Sequence, residues 1–132
     1  IRIDPMVEAS PVLQERISPA RSRDSGNTLL QKEFAGGVLV LTGANSAVGL
    51  RSMPVRFLFL DETDGYPQDL EGEGSPIDLA VARTRTFARR KIFKISTPTT
   101  EHASVITREF IATDQQYYFV PCPHCGTLQH LV

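Results

Sequence analysis

The run from Val55 to Glu62 constrains the fold of this chain most strongly, because a short apolar strand ends there in two adjacent carboxylates. A carboxylate that is desolvated without a partner is costly, so a buried strand ordinarily stops at a neutral turn. Asp61 and Glu62, with Asp64 soon after them, therefore indicate chemistry at the end of the strand. Carboxylate oxygens in that position suit Mg²⁺, which can in turn bind a nucleotide phosphate.

The length and composition are those of one globular domain. The chain has 132 residues, of which 41% are hydrophobic and 22% are charged, which is an ordinary soluble composition with room for a core. It contains no apolar run long enough to span a membrane and no signal-peptide pattern at its start. The first residue is Ile rather than Met, so we expect a segment of a longer protein.

Charge is distributed unevenly although the net charge is only −1. Residues 61–78 include seven acidic and no basic side chains, and residues 83–94 include six basic and no acidic ones. The favoured interpretation is an exposed acidic loop followed by a solvated basic helix face. The alternative is an arginine stripe that faces phosphate or DNA.

Alternating apolar patterns predict an α/β fold with a mostly parallel sheet and flanking helices. Strands are predicted at 38–42, 55–60, 92–95 and 117–120, and the first of these is expected to be buried. Helices are predicted at 12–17, 29–34, 46–50, 76–88 and 103–112, with Asn27 or Thr28 capping the second and Gly36-Gly37 ending it. Residues 61–76 are predicted to form an acidic loop.

Two polar motifs each follow directly on a predicted strand. Asp61-Glu62 follows the strand at 55–60, and Ser96-Thr97 follows the strand at 92–95. One helix between them is long enough for a right-handed crossover, which brings successive strand ends to the same edge of the sheet. Ligands of such sheets lie outside the carboxyl ends of the strands. Both motifs are therefore expected to face one crevice.

A strand followed by Asp-Glu is the Walker B pattern of nucleotide-hydrolysing enzymes. The Asp holds the coordination shell of Mg²⁺, and the Glu activates water as a general base. The structural alternative is a common acidic turn. The partner motif, Gly-x-x-x-x-Gly-Lys-Ser/Thr, is absent, because none of the three lysines precedes Ser or Thr. Either the phosphate-binding loop lies upstream of Ile1, or the nucleotide interpretation is wrong.

Two further motifs carry weaker signals. Ser96, Thr97 and Pro98 place hydroxyls and a rigid proline where they could sense a γ-phosphate, although a strand stop rich in Ser and Thr has the same composition. Cys122 and Cys125 form a Cys-x-x-Cys half of a zinc knuckle, and tetrahedral zinc needs four ligands. With no second Cys pair in the chain, we expect two free thiols and a reducing, intracellular setting.

Five segments in order resemble one known family, the phage DNA-packaging ATPase, or terminase large subunit, of the GpA (lambda-like) type. The resemblance extends over essentially the full length. The matching segments are Phe34-Ala35-Gly36-Gly37, Gly43-Ala44-Asn45-Ser46, residues 57–67 (FLFLDETDGYP), residues 91–99 (KIFKISTPT) and residues 120–126 (VPCPHCG). Each is weak alone, and five in this order and spacing are specific.

The resemblance implies an incomplete P-loop NTPase-like (ASCE) core. Residues 1–120 would be a partial ATPase domain without its phosphate-binding loop, and 121–132 would begin a zinc-knuckle or linker segment towards a nuclease domain. Asp61 would bind Mg²⁺-ATP, Glu62 would be the catalytic base, and Ser96-Thr97-Pro98 would be the coupling motif. Cys122 and Cys125 would supply half of a zinc site. No trans-acting role is assigned to Arg83 or Arg85.

The resemblance also implies the partners of the complete protein. They are ATP with Mg²⁺, double-stranded DNA, a small terminase subunit, and a portal on the prohead. The protein would form a homo-oligomeric motor in the host bacterial cytoplasm, without a membrane. Because both ends of the enzyme are missing from this pattern, we expect that the segment alone neither hydrolyses ATP nor cuts DNA.

Three alternatives remain open at the level of sequence. One is a non-enzymatic DNA- or protein-binding module with a zinc knuckle, which would depend on Arg83, Arg85, Arg89 and Arg90. Another is a helicase-like ATPase, which shares the strand-Asp-Glu motif. A metal-dependent nuclease that uses Asp61, Glu62 and Asp64 ranks last, because two-metal chemistry usually draws carboxylates from several elements.

Overall fold

The computed structural model describes residues 3–17, 27–51, 53–100 and 103–130. Five helices lie in these ranges: α1 (Ile3–Ala9), α2 (Pro11–Gln14), α3 (Ala47–Arg51), α4 (Pro76–Ala82) and α5 (Val105–Ile111). Six strands accompany them: β1 (Gln31–Phe34), β2 (Gly37–Val40), β3 (Phe57–Asp61), β4 (Lys91–Ile95), β5 (Phe119–Pro121) and β6 (Leu128–His130). A 3₁₀ turn, Thr63–Gly65, follows β3.

The strands of the described residues form three two-stranded sheets. β1 with β2 and β5 with β6 are antiparallel hairpins, and β3 with β4 is parallel. The α/β class is confirmed, whereas only one of these three pairs has the parallel arrangement expected for the whole sheet. None of the described helices is long and apolar enough to cross a membrane.

The core lies on one face of the parallel pair. Leu60 of β3 is only 4% exposed, and half-buried Leu58 packs against the same cluster. Helices α3 and α4 contribute the other members, which are Ala47, Leu50, Ile77 and Ala80, together with Leu70 of the acidic loop. The Ser75 hydroxyl caps α4 by accepting a hydrogen bond from the N–H of Ile77 at 3.2 Å. This cap and Pro76 start the crossover helix where the sequence predicted it.

The opposite face of the parallel pair is apolar and exposed. Phe57, Phe59, Phe93 and Ile95 are 53%, 71%, 55% and 43% exposed. Phe59 and Phe93 are register partners, and their rings meet edge to face with centroids 6.1 Å apart. Parallel sheets are ordinarily covered on both faces, so this face is an unusual feature of the described residues.

The helix predicted at 29–34 is wrong, because residues 31–34 form β1. Ala35-Gly36 is a two-residue hairpin turn between register partners Phe34 and Gly37, with Gly36 at φ 93°. Glycine at the second central position of the turn adopts this positive φ without strain. The buried Asn27 side chain does not cap a helix; its Oδ1 accepts from the Glu33 N–H at 3.0 Å.

The strand predicted at 38–42 is present as β2, but the prediction that it is buried is wrong. Val38 and Val40 are 42% and 41% exposed, and β1 is the one strand that pairs with β2 among the described residues. The buried side chain of this hairpin is Lys32, which is 2% exposed and forms an ion pair of 2.6 Å with Asp4 of α1. A charge is retained there because it has a partner.

Helix α4 ends at Ala82, six residues before the predicted end at 88. The Arg83 carbonyl accepts from the Val55 N–H at 3.1 Å, which draws the chain back towards β3. Buried Thr84 donates its hydroxyl to the Val81 carbonyl at 2.8 Å, a local bond that competes with continuing the helix. The basic residues that follow therefore lie on turns and on β4, and the predicted basic helix face is wrong.

The remaining predicted elements are close to those observed. Helices at 46–50 and 103–112 correspond to α3 and α5, and strands at 55–60 and 92–95 correspond to β3 and β4. The predicted helix at 12–17 is the single turn α2, and the strand at 117–120 is β5. Helix α1, the 3₁₀ turn and β6 were not predicted.

Candidate active site

Two predicted motifs meet at the carboxyl ends of β3 and β4. Asp61 lies opposite Ile95 in the parallel register, so Glu62 and Ser96 are the next residues on neighbouring strands. The hydroxyl of Ser96 accepts a hydrogen bond from the backbone N–H of Asp64 at 3.0 Å. The structure therefore brings the acidic pair and the start of the Ser96-Thr97-Pro98 segment to one edge of the sheet.

Glu62 has a left-handed backbone conformation, with φ 56° and ψ 48°. This region favours glycine, and a residue with a side chain held there costs about 1–3 kcal/mol. The left-handed residue turns the chain from β3 into the 3₁₀ turn. Asp61 and Glu62 are both exposed, and neither forms an ion pair with a residue in the described part of the chain. Glu71 of the acidic loop is also exposed and has the same φ, so the position of Glu62 at the strand end, rather than its conformation, distinguishes it.

Tyr66 lies beside Asp61, a neighbour that sequence reasoning missed. Burial raises the pKa of the Tyr66 hydroxyl, a hydrogen bond from the Asp61 backbone opposes the rise, and the negative charge of Asp61 adds to it. The Tyr66 ring also packs against the core cluster. The turn after the acidic pair is therefore anchored to the core rather than free in solvent.

Asp64 is the most highly connected carboxylate of the site. One oxygen accepts from the N–H and the hydroxyl of Thr99 at 3.1 and 3.3 Å, and the other accepts from the Ile106 N–H at 2.9 Å. A hydrogen bond from Ser104 is the largest cause that lowers the pKa of Asp64, and the bonds from Ile106 and Thr99 add to it against burial. The pKa falls from 3.8 to about 2.

This role of Asp64 was not predicted, since the sequence indicated only that Asp64 follows the acidic pair and could be a ligand in the lowest-ranked alternative, the nuclease. The signal that could have found it is local: an aspartate two residues after Asp-Glu, on a turn that must face the next strand end. Because both Asp64 oxygens are already held by donors, the residue is poorly placed to serve as a metal ligand. The three-carboxylate nuclease therefore lacks its third ligand in this structure.

The acidic pair fits an ion that also takes oxygens from a nucleotide. Within the described residues, no group of three or more His, Cys, Asp or Glu side chains could hold a metal by itself. Magnesium, however, is usually bound by one or two carboxylates together with waters and substrate phosphates. Asp61 and Glu62 have free oxygens at a strand end, which is the donor set such an ion requires.

Only the first residue of the predicted coupling motif, Ser96-Thr97-Pro98, has a side chain with hydrogen bonds among the described residues. The Ser96 hydroxyl donates to the Thr97 carbonyl at 3.4 Å, in addition to accepting from Asp64. The side chains of Thr97 and Pro98 are exposed. Thr99, the next residue, donates its backbone N–H to the carboxylate of Asp64.

The basic residues after α4 separate into two environments. Arg83 is half-buried, and its Nη1 donates to the Arg51 carbonyl at 3.2 Å, so it is engaged within the fold. Arg85, Arg89 and Arg90 are exposed on the turn before β4. An electropositive surface of three arginines therefore exists there, while Arg83 contributes packing.

The cysteine segment forms a tight hairpin. The Cys122 N–H donates to the Thr127 carbonyl, and the Gly126 N–H donates to the Cys122 carbonyl, both at 2.9 Å. Both thiols are free. The side chains of Cys125 and Thr127 are hydrogen-bonded, with Sγ and Oγ1 3.4 Å apart, and this bond is the main cause that lowers the pKa of Cys125. Among the described residues no third ligand joins these thiols, so the zinc-module alternative gains no support.

Comparison with known proteins places these features in a family. The model of the ATPase domain of phage terminase large subunit gpA matches residues 1–132. The large terminase subunit of Enterobacteria phage P21 is 30% identical over 133 residues, covering 98% of this chain and 20% of that protein. The large terminase subunit of Escherichia phage lambda is 29% identical with the same coverage. The chain thus spans about one fifth of the length of these curated relatives.

No solved structure matches the chain significantly. The family match covers every residue, and it agrees with the five ordered segments quoted from the sequence. This chain belongs to the gpA family of phage terminase large subunits and corresponds to that family's ATPase domain.

Proposed function

We propose that this chain is part of the ATP-hydrolysing motor subunit that packages double-stranded viral DNA into proheads. The observation that carries the proposal is the meeting of Asp61-Glu62 and Ser96 at adjacent ends of parallel strands. In open α/β sheets this edge is where ligands bind. The fold would then be an incomplete P-loop NTPase-like core, in which β3 carries the hydrolytic residues.

Each acidic residue has a distinct proposed task. Asp61 would hold Mg²⁺ through its free oxygens, and the bound ion would supply positive charge to the phosphate oxygens. Glu62 accepts a proton from the water whose oxygen bonds to the γ-phosphorus, while the bond from that phosphorus to the β–γ bridging oxygen breaks and ADP leaves. Its exposure leaves room for that water, and its left-handed backbone holds it one residue beyond the end of β3.

The remaining parts of the reaction come from elsewhere in the proposed protein. A phosphate-binding loop would precede residue 1, and residues 121–132 would begin a linker towards a nuclease domain after residue 132. Double-stranded DNA, a small terminase subunit, a portal and further copies of the motor subunit are the proposed partners in the host bacterial cytoplasm. Ser96-Thr97-Pro98 would link hydrolysis to DNA movement.

The test uses the full-length protein expressed from the complete reading frame. Glu62→Gln keeps size and polarity and removes the base, so it should lower kcat for ATP by about 10²–10⁴-fold while ATP still binds. Asp61→Asn should lose Mg²⁺-dependent turnover. Glu71→Gln is the matched control, because Glu71 is exposed and also has φ 56°, but lies in the acidic loop away from the strand ends.

Glu71→Gln should leave turnover unchanged. Wild-type turnover by Glu62→Gln would overturn the proposed hydrolytic role. In parallel, the segment of residues 1–132 alone should show no turnover, and Glu62-dependent hydrolysis by that segment would show that the phosphate-binding function lies within it.

A further inference from the structure

Asp64 is a half-buried carboxylate that the proposed hydrolysis does not use. Its oxygens and its backbone N–H together bond to Ser96, Thr99 and Ile106. These partners lie 32, 35 and 42 residues away along the chain. The residue therefore joins the turn after β3 to the segment after β4 and to the first turn of α5.

Asp69 shows what a merely local aspartate does in the same chain. Its two oxygens accept from the N–H groups of Gly72 and Gly74 at 2.7 and 2.8 Å. Those partners are three and five residues away, so the bonds shape one loop. The carboxylate of Asp64 also accepts hydrogen bonds from backbone N–H groups, but its partners lie after β4 and in α5. Capping a turn does not require such distant partners.

The connection begins next to the proposed base. Glu62 immediately precedes the 3₁₀ turn Thr63–Gly65, and Asp64 is the central residue of that turn, so the backbone between them is short and ordered. A shift of the turn must carry Thr99 and Ile106 with it or break charge-assisted hydrogen bonds, which are stronger than neutral ones. A second tie, the 2.7 Å ion pair between Lys94 and Glu109, holds β4 to α5. The turn after β3 is thus connected to α5 through Asp64, and β4 is connected to α5 through the ion pair.

We propose that Asp64 is the positioning residue that transmits a change at the Asp61-Glu62 strand end to residues 96–100 and to α5. The inference rests on the proposed ATPase function and deepens it, since it names how hydrolysis at that site is coupled to movement. Ser96 receives the backbone N–H of the same residue whose carboxylate holds Thr99. One residue therefore brackets Thr97 and Pro98 from both sides.

The test compares Asp64→Asn with Asp69→Asn in the full-length protein. Two quantities are measured with DNA and proheads: ATP turnover, with its kcat and KM, and the length of DNA packaged per ATP hydrolysed. Asp64→Asn should reduce the DNA packaged per ATP by about tenfold, a usual size for coupling between sites, with an unchanged KM for ATP. Asp69→Asn should leave both quantities at the wild-type level.

A second pair of variants keeps the test valid if Asp64→Asn fails to fold. Thr99→Val removes the hydroxyl bond to Asp64 and keeps the backbone bond, so it should reduce DNA packaged per ATP less strongly. Thr99→Ser restores the hydroxyl and should restore coupling. Loss of coupling in Thr99→Val that Thr99→Ser does not rescue would contradict the inference.

Failure of this inference is distinguishable from failure of the proposed function. If Glu62→Gln is inactive while Asp64→Asn packages the wild-type length of DNA per ATP, the site of hydrolysis is at the strand end and the proposed role of Asp64 is wrong. Equal proportional losses of turnover and packaging in Asp64→Asn would likewise show a structural role. If Glu62→Gln retains turnover, the proposed function fails first.

Discussion

The backbone N–H of Asp64 donates to the hydroxyl of Ser96 across 3.0 Å. This bond joins two motifs that are separated by one helix and one strand in the sequence. It exists because β3 and β4 run parallel with Asp61 opposite Ile95, so the residues that leave the two strands emerge side by side. The candidate site is consequently a single structural unit rather than two neighbouring turns.

The stability of the segment should depend on pH through Asp64. Its pKa is lowered from 3.8 to about 2, so the stabilisation is complete above pH 3.8 and is lost as the pH falls through about 2. Asp64→Asn should lack this part of the acid sensitivity. Urea unfolding at several pH values in this window measures it, and parallel slopes for the two proteins would contradict it.

The core of the parallel pair should depend on Leu60. Leu60 is 4% exposed, and Leu60→Ala should lower the free energy of unfolding by about 2–5 kcal/mol. Phe59→Ala is the matched control on the opposite face, where the ring is 71% exposed. It should cost less than about 1.5 kcal/mol, the upper value for one aromatic pair. Denaturant unfolding of both variants measures the difference, and equal losses would place the core elsewhere.

The exposed aromatic face should make the segment self-associate. An uncovered apolar surface on a soluble chain is a site of association, and Phe59 and Phe93 form its centre. The double variant Phe59→Ser/Phe93→Ser should remain monomeric at concentrations where the wild type sediments as larger species. Tyr118→Ser, which removes an aromatic that is 83% exposed outside this face, should behave as the wild type.

Exposed arginines on the turn before β4 should contribute to DNA binding by the full-length protein. The triple variant Arg85→Gln/Arg89→Gln/Arg90→Gln should weaken binding to duplex DNA. It should also flatten the salt dependence by about 0.9 per lost phosphate contact. Anisotropy titrations at several salt concentrations measure both effects. Arg83→Gln should instead mainly lower stability, since Arg83 is held within the fold by Arg51. An unchanged salt slope would exclude this turn from the DNA path.

Cys125 should react faster than Cys122 with alkylating reagents. Cys125 is exposed, and the Thr127 side chain is the main cause that lowers its pKa, so more thiolate is present at neutral pH. Thr127→Val should slow alkylation of Cys125 while Thr127→Ser should not. Mass spectrometry after brief treatment with iodoacetamide measures the rate at each site. Equal rates at the two thiols would contradict the role of Thr127.

The parallel pair and its polar ends were predictable from sequence because their signals are local. Apolar runs define β3 and β4, and Ser75-Pro76 marks the start of the crossover helix α4. Together these require the ends of the two strands to share an edge. The end of α4 was not predictable in the same way. It depends on the bond from Val55 to the Arg83 carbonyl, which no local pattern reveals.

The helix predicted at 29–34, before Gly36-Gly37, was wrong for a related reason. Gly36-Gly37 can end a helix or turn a hairpin, and the choice depends on whether residues 31–34 find a strand partner. The burial of Lys32 cannot be predicted from an apolar pattern, since this charged side chain is buried through its ion pair with Asp4 of α1. The partners of Asp64 were hidden likewise, because every one of them comes from a distant part of the chain.

The left-handed backbone at Glu62 creates a conflict between thermal stability and the proposed catalytic role of this residue. Glycine adopts φ 56° without strain, so Glu62→Gly should raise or preserve the melting temperature while removing the proposed base. Selection for heat tolerance would favour such a replacement, and only selection for the proposed ATP hydrolysis would retain the glutamate. Directed evolution of this protein for robustness would therefore need an activity readout at every round.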